Sequence, residues 1–132
     1  MPIKKIFNPN EIYGILPPLL TPFDANEEIV EDAFREEVRY MMAQGVHGLV
    51  SGGSAGEGFT LSTDELRRLV GIMAEEANGS VPLIAGIIVD STRQAIEKAR
   101  AVADLGVSAL QVTPVHYIFK SDDESMIRHF RA

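Results

Sequence analysis

Four short apolar runs punctuate the chain: GILPPLL (14–20), HGLVSGG (47–53), VPLIAGIIV (81–89) and SALQVTPV (108–115). Longer amphipathic stretches separate them. Three of the runs are rich in Val, Ile and Leu without strict polar alternation, the pattern of strands buried on both faces of a parallel sheet. GILPPLL differs, because Pro17 and Pro18 donate no ladder hydrogen bonds and must interrupt or bulge a strand.

The intervening stretches predict helices with recognisable ends. In the first, Val30, Phe34, Val38, Met41 and Met42 recur at helical spacing, and Gly45 follows in the C-terminal cap position. The second opens on a capping box, Ser62-Thr-Asp-Glu65, buries Leu66, Leu69, Val70, Met73 and Ala77, and ends at Asn78-Gly79. A third follows Ser91-Thr-Arg-Gln94, buries Ala95, Ala99, Val102 and Ala103, and stops at Gly106. A fourth begins at Ser121-Asp-Asp-Glu124 and shows Met126, Ile127 and Phe130 as its apolar positions.

The order is therefore βαβαβαβα, which calls for right-handed crossovers and an α/β fold on a parallel sheet. Gly45-Val46-His47-Gly48-Leu49-Val50 is echoed by Gly106-Val107-Ser108-Ala109-Leu110, as a repeating unit would be. Two architectures satisfy the order, an open doubly wound sheet or part of a (β/α)8 barrel. A full barrel takes about 250 residues. The barrel reading thus makes residues 1–132 a single partial domain, the first four βα units of a TIM barrel truncated at the C-terminus.

Composition narrows the partners. A net charge of -7, from 19 acidic and 12 basic residues, leaves no clustered basic face for nucleic acid. The chain contains no cysteine, which removes disulfides and thiolate metal sites and fits a reducing compartment. No signal-like segment or run of about 18 apolar residues is present, so the expectation is a cytoplasmic protein without a membrane partner.

The stretch SGGSAGEG, Ser51 to Gly58, carries the candidate chemistry. It fits G-x-S-x-G, which would make Ser54 a nucleophile, but an elbow needs a helix starting almost at the serine. Here Phe59, Thr60 and Leu61 precede the cap at Ser62. His116 and His129 are the later histidines, and His129 reads as a surface residue. A phosphate cradle needs a lysine or a helix-opening G-x-G-x-x-G, whereas this loop carries Glu57. What remains is a loop at the carboxyl end of a parallel strand whose amides could hold a single carboxylate. The alternative is a plain glycine turn with Glu57 bonded to the loop's own backbone.

GILPPLLTPF, GGSAGEGFTLSTDE, VPLIAGIIVDSTRQAI and the strand ending VTPVHY together resemble the N-terminal half of the dihydrodipicolinate synthase and N-acetylneuraminate lyase family. The resemblance implies a (β/α)8 barrel, usually oligomeric, in which a 2-oxo acid such as pyruvate forms a Schiff base with a lysine of the sixth strand. It implies lyase chemistry with no cofactor. By position, the amides of Ser54 and Ala55 would hold the carboxylate, and the Ser54 hydroxyl would join a proton relay. The relay tyrosine would fall on Tyr117, with His116 as the alternative.

Departures from the pattern shape the remaining expectations. Ala55 stands where the family has a second threonine, and Pro114-Val115-His116-Tyr117 is one residue longer than P-Y-Y. The Schiff-base lysine lies beyond Ala132, and Lys98 and Lys120 both read as solvated, so residues 1–132 alone should be inactive. Two other readings are a non-catalytic half-barrel that self-associates and a flavodoxin-like domain for a small anion.

Overall fold

The computed structural model describes residues 1–115, 118 and 120–132. The sheet contains β1 (Leu49–Ser51), β2 (Leu83–Ile87) and β3 (Ala109–Val112), all parallel and adjacent in chain order. Leu49 pairs with Leu83, and Ile84 with Ala109. GILPPLL runs parallel along the outer side of β1 but makes only one bridge, between Pro18 and Val50. Leu19 N–H donates to the Val50 carbonyl at 2.8 Å, and Val50 N–H to the Pro17 carbonyl at 3.2 Å. The prolines leave this run without the donors of a regular ladder, so it is a braced extended segment and not a fourth strand.

Four helices, α1 (Glu31–Ala43), α2 (Thr63–Ala77), α3 (Thr92–Val102) and α4 (Asp123–Arg131), alternate with the strands. Packing of α2 against both α1 and α3 places these three in one layer. A flavodoxin-like sheet would put the first run between the second and the third. Here the runs lie side by side in chain order, as in a barrel wall. Phe34, Val38, Leu49, Leu69, Val70, Met73, Ile87 and Val102 are among the residues of the core between sheet and helices. No described helix is long and apolar enough to cross a membrane.

The helix ends follow their caps. Ser62 Oγ accepts the Glu65 N–H at 3.2 Å while Glu65 Oε2 accepts the Ser62 N–H at 2.7 Å, completing the box that starts α2. Such a cap contributes about 1 kcal/mol. Asn78 then closes α2 in the left-handed conformation, with φ 46°. Ser91 accepts the Gln94 N–H to start α3. That helix ends at Val102, short of the expected stop at Gly106; Ala103 is its exposed cap and Ala99 is half-buried. In α4 the cap is Asp122, one residue past Ser121; its carboxylate accepts the Ser125 N–H at 2.7 Å.

Two polar residues expected at the surface are buried. His129, not Ile127 or Phe130, is the buried residue of α4, and the two apolar side chains are about half exposed. Its Nε2 lies 3.2 Å from the Thr113 carbonyl, which can only accept, so Nε2 carries the proton. Nδ1 then accepts the Thr92 hydroxyl at 2.9 Å. The second buried residue is Lys98, described with the site below.

Ion pairs tie the helix layer together. Arg35 and Arg39 of α1 hold Glu76 of α2, with contacts of 2.7–2.9 Å. Arg67 of α2 grips both oxygens of Asp104 after α3, at 2.6 and 2.9 Å. Those hydrogen bonds lower the Asp104 carboxyl from 3.8 to about 2. A depressed acid stabilises the fold above its unfolded pKa and loses that effect as pH falls through the folded one. The difference in Tm between wild type and Asp104→Asn should therefore be small but present at neutral pH, because the pair is exposed. It should vanish as pH falls from 3.8 toward 2, which thermal melts across that range will check.

Candidate functional site

Backbone packed directly on backbone creates the site. After β1 the chain turns at Gly52, with φ 75°, and folds back so that Gly58 lies against the Gly52 carbonyl. A Cβ built on Gly58 would stand 1.8 Å from that oxygen, and one on Gly86 of β2 would stand 2.3 Å from it. Only glycine permits both approaches. The Gly58 N–H donates to the Gly53 carbonyl at 3.0 Å and the Glu57 N–H to the Ser54 carbonyl at 3.1 Å. Thr21, from the proline-bearing segment, donates its hydroxyl to the Gly56 carbonyl at 2.6 Å.

This folding leaves Ser54 and Ala55 exposed at the loop tip, beyond the carboxyl end of β1. Among the described residues, neither N–H is donated within the protein, and the Ser54 hydroxyl has no partner. Glu57 enters the loop's hydrogen bonds through its main chain: its carbonyl accepts both the N–H and the hydroxyl of Thr60 at 2.9 Å. The glycine turn is thus held by backbone, and Glu57 sits at a left-handed φ of 55°.

The elbow geometry is absent. The residues after Ser54 form turns, and α2 starts only at Thr63. His129 is committed to Thr92 and Thr113. His47 precedes β1, at its opposite end, where Nδ1 accepts the Ile15 N–H at 3.1 Å. His116 and Tyr117, the two candidates for the relay position, lie outside the described residues.

A cleft of about 770 Å³ opens at the carboxyl ends of β2 and β3, bounded by Ser54, Leu61, Asp90, Gln94, Lys98 and Thr113. Lys98 contradicts its expected solvation, being only 8% exposed. Its Nζ donates to the Leu61 carbonyl at 2.6 Å and lies 3.5 Å from the Gly58 carbonyl. Burial pushes this ammonium below its ordinary value, opposed by the charges of Glu65 and Glu97. Thr21 and Lys98 are the supports that pattern reading of the glycine stretch overlooks. Lys98 occupies the i+3 position from Ala95 on the buried face of α3, and that spacing was the available signal. Among the described residues, no group of three acidic or histidine side chains is arranged to bind a metal ion.

Two glycines separate close approach from mere flexibility. Gly58→Ala should cost about 3 kcal/mol, because backbone must move. Gly71→Ala, in the middle of α2 where an added Cβ meets nothing within 4 Å, should stabilise by about 0.5–1 kcal/mol. Urea denaturation of both variants checks the pair, and equal effects would contradict the packing.

Similarity to known proteins follows the same lines. The sequence profile of the Dihydrodipicolinate synthetase family matches residues 11–132. A 4-hydroxy-tetrahydrodipicolinate synthase of Methanopyrus kandleri is 41% identical over 121 residues, covering 91% of this chain and 40% of the relative. An N-acetylneuraminate lyase of Citrobacter koseri is 39% identical over 123 residues, covering 92% and 41%. The crystal structure of YagE from E. coli K12, a prophage protein of the dihydrodipicolinic acid synthase family in complex with pyruvate, superposes with a TM-score of 0.85. It is 25% identical, over 91% of this chain and 40% of that one. The chain therefore spans about two-fifths of the length of these relatives, and its βα units are those of a TIM-barrel wall. By sequence and by fold, the chain belongs to the dihydrodipicolinate synthetase family.

Proposed function

We propose that the glycine loop is the carboxylate-binding element of a pyruvate-dependent Schiff-base lyase of the class I aldolase type. The observation that carries this reading is the pair of amides at Ser54 and Ala55, undonated among the described residues, on a hydrogen-bonded loop whose Ser54 borders the cleft. Two N–H groups converging on a carboxylate form charge-assisted hydrogen bonds, roughly twice as strong as neutral ones. They would fix the acid end of a 2-oxo acid and so set the direction of its carbonyl carbon.

In such an enzyme the 2-oxo acid condenses with a lysine amine, losing water to form an iminium. That cation draws the electron pair from the adjacent C–H or C–C bond, so aldol cleavage or addition proceeds at a modest barrier. A hydroxyl beside it must carry the proton released or consumed. Ser54 is exposed and without a partner among the described residues, which suits a relay group and not a nucleophile awaiting a base. Tyr117 is our choice for the second relay hydroxyl, with His116 as its alternative. The lysine belongs to a sixth strand that residues 1–132 do not include. Lys98 does not replace it, because its Nζ is buried on α3 and donates to the Leu61 carbonyl at 2.6 Å.

Pyruvate added to the 132-residue chain should shift the Ser54 and Ala55 amide signals in NMR, and borohydride should trap no covalent adduct. A single-site adduct would overturn the predicted inactivity of these residues alone. Unmoved amides at saturating pyruvate would overturn the carboxylate reading.

A further inference from the structure

Lys98 is the buried lysine among the described residues, and its place is costly. An apolar side chain of equal length would fill the same space without desolvating a charge. No carboxylate comes within ion-pair distance of Nζ among the described residues. The Glu65 carboxylate is taken by the Ser62 N–H, and that of Glu97 by the Thr63 hydroxyl. Asp90 lines the same cleft, and α4 reaches the start of α3 through His129 at Thr92. What Nζ does contact is backbone: the Leu61 carbonyl at 2.6 Å and, more distantly, the Gly58 carbonyl at 3.5 Å. Gly58 is the residue pressed on the Gly52 carbonyl, and Leu61 immediately precedes the Ser62 cap. One ammonium from α3 thus pins the returning limb of the glycine loop at two points.

We propose that Lys98 is a positioning residue: by drawing the Gly58 and Leu61 carbonyls toward itself, it holds the loop so that the Ser54 and Ala55 amides meet an incoming carboxylate already aligned. This inference rests on the carboxylate reading of the loop. Fixing donors before the ligand arrives removes the ordering cost from binding. A positive charge bordering the cleft also favours an anionic ligand. Burial, which holds Lys98 below the ordinary lysine value, gives the device a pH limb, because a neutral amine donates more weakly than an ammonium.

The test compares the full chain with Lys98→Met and Lys98→Arg in two NMR measurements. Amide hydrogen exchange is recorded without ligand, and pyruvate titrations follow Ser54 and Ala55 at neutral and rising pH. In Lys98→Met, the loop amides of Glu57, Gly58 and Thr60 should exchange about tenfold faster and pyruvate should bind about tenfold more weakly. Lys98→Arg, which keeps charge and donors, should restore most of both. Wild-type affinity should fall as pH rises through the depressed Lys98 value, and Lys98→Met should lack that fall. Unchanged exchange and affinity in Lys98→Met would overturn the proposal. Should that variant not fold, a wild-type affinity that stays flat as Lys98 titrates would overturn it instead. If pyruvate moves no wild-type amide, the carboxylate reading fails, while faster exchange in Lys98→Met would still support the hold on the loop.

Discussion

The contact of three backbones at Gly52, Gly58 and Gly86 governs the upper end of this fold. With no Cβ on either glycine facing it, the Gly52 carbonyl lies against both the returning loop and β2. That closeness makes the loop a compact plug and not a wandering connection, and it places residues 54 and 55 at the tip. Everything then added to the loop, the Thr21 hydroxyl from one side and the Lys98 ammonium from the other, acts on carbonyls that the glycines have already turned. The stability of the remainder follows more ordinary rules: a core of aliphatic side chains between strands and helices, capped helix ends and exposed ion pairs between neighbouring helices.

Much of this was legible in the residues themselves. Local signals work where their partners are near in sequence, so the Ser62–Glu65 box and the Asn78-Gly79 stop predicted α2 closely. Pro17 and Pro18 likewise announced that their run would not complete a strand. Lys98 and His129 misled for the converse reason. A polar residue is read as solvated unless a partner is in view, and their partners lie far along the chain: Leu61 for the lysine, Thr92 for the histidine. The cost of burying each is offset by hydrogen bonds that exist only once the helices have packed. The exposure of Ile127 and Phe130 is the same effect reversed, since the helical period marks an apolar face without showing what covers it.

The glycine stretch shows how little composition alone says about chemistry. A nucleophile, a phosphate cradle and a carboxylate clamp use the same small residues, and the decision turns on where the following helix begins and which N–H groups remain undonated. The structure rules out an elbow by distance along the chain and, among the described residues, leaves the Ser54 and Ala55 amides without an acceptor. Family membership is what brings a 2-oxo acid into consideration, and the carboxylate reading proposed for that tip rests on it together with the undonated amides.

The most direct test is a crystal structure of the chain grown or soaked with pyruvate. Our account predicts the pyruvate carboxylate within hydrogen-bonding distance of both the Ser54 and Ala55 nitrogens, with the loop backbone unmoved. A carboxylate bound elsewhere, or a loop whose two amides turn inward to bond the protein, would contradict it.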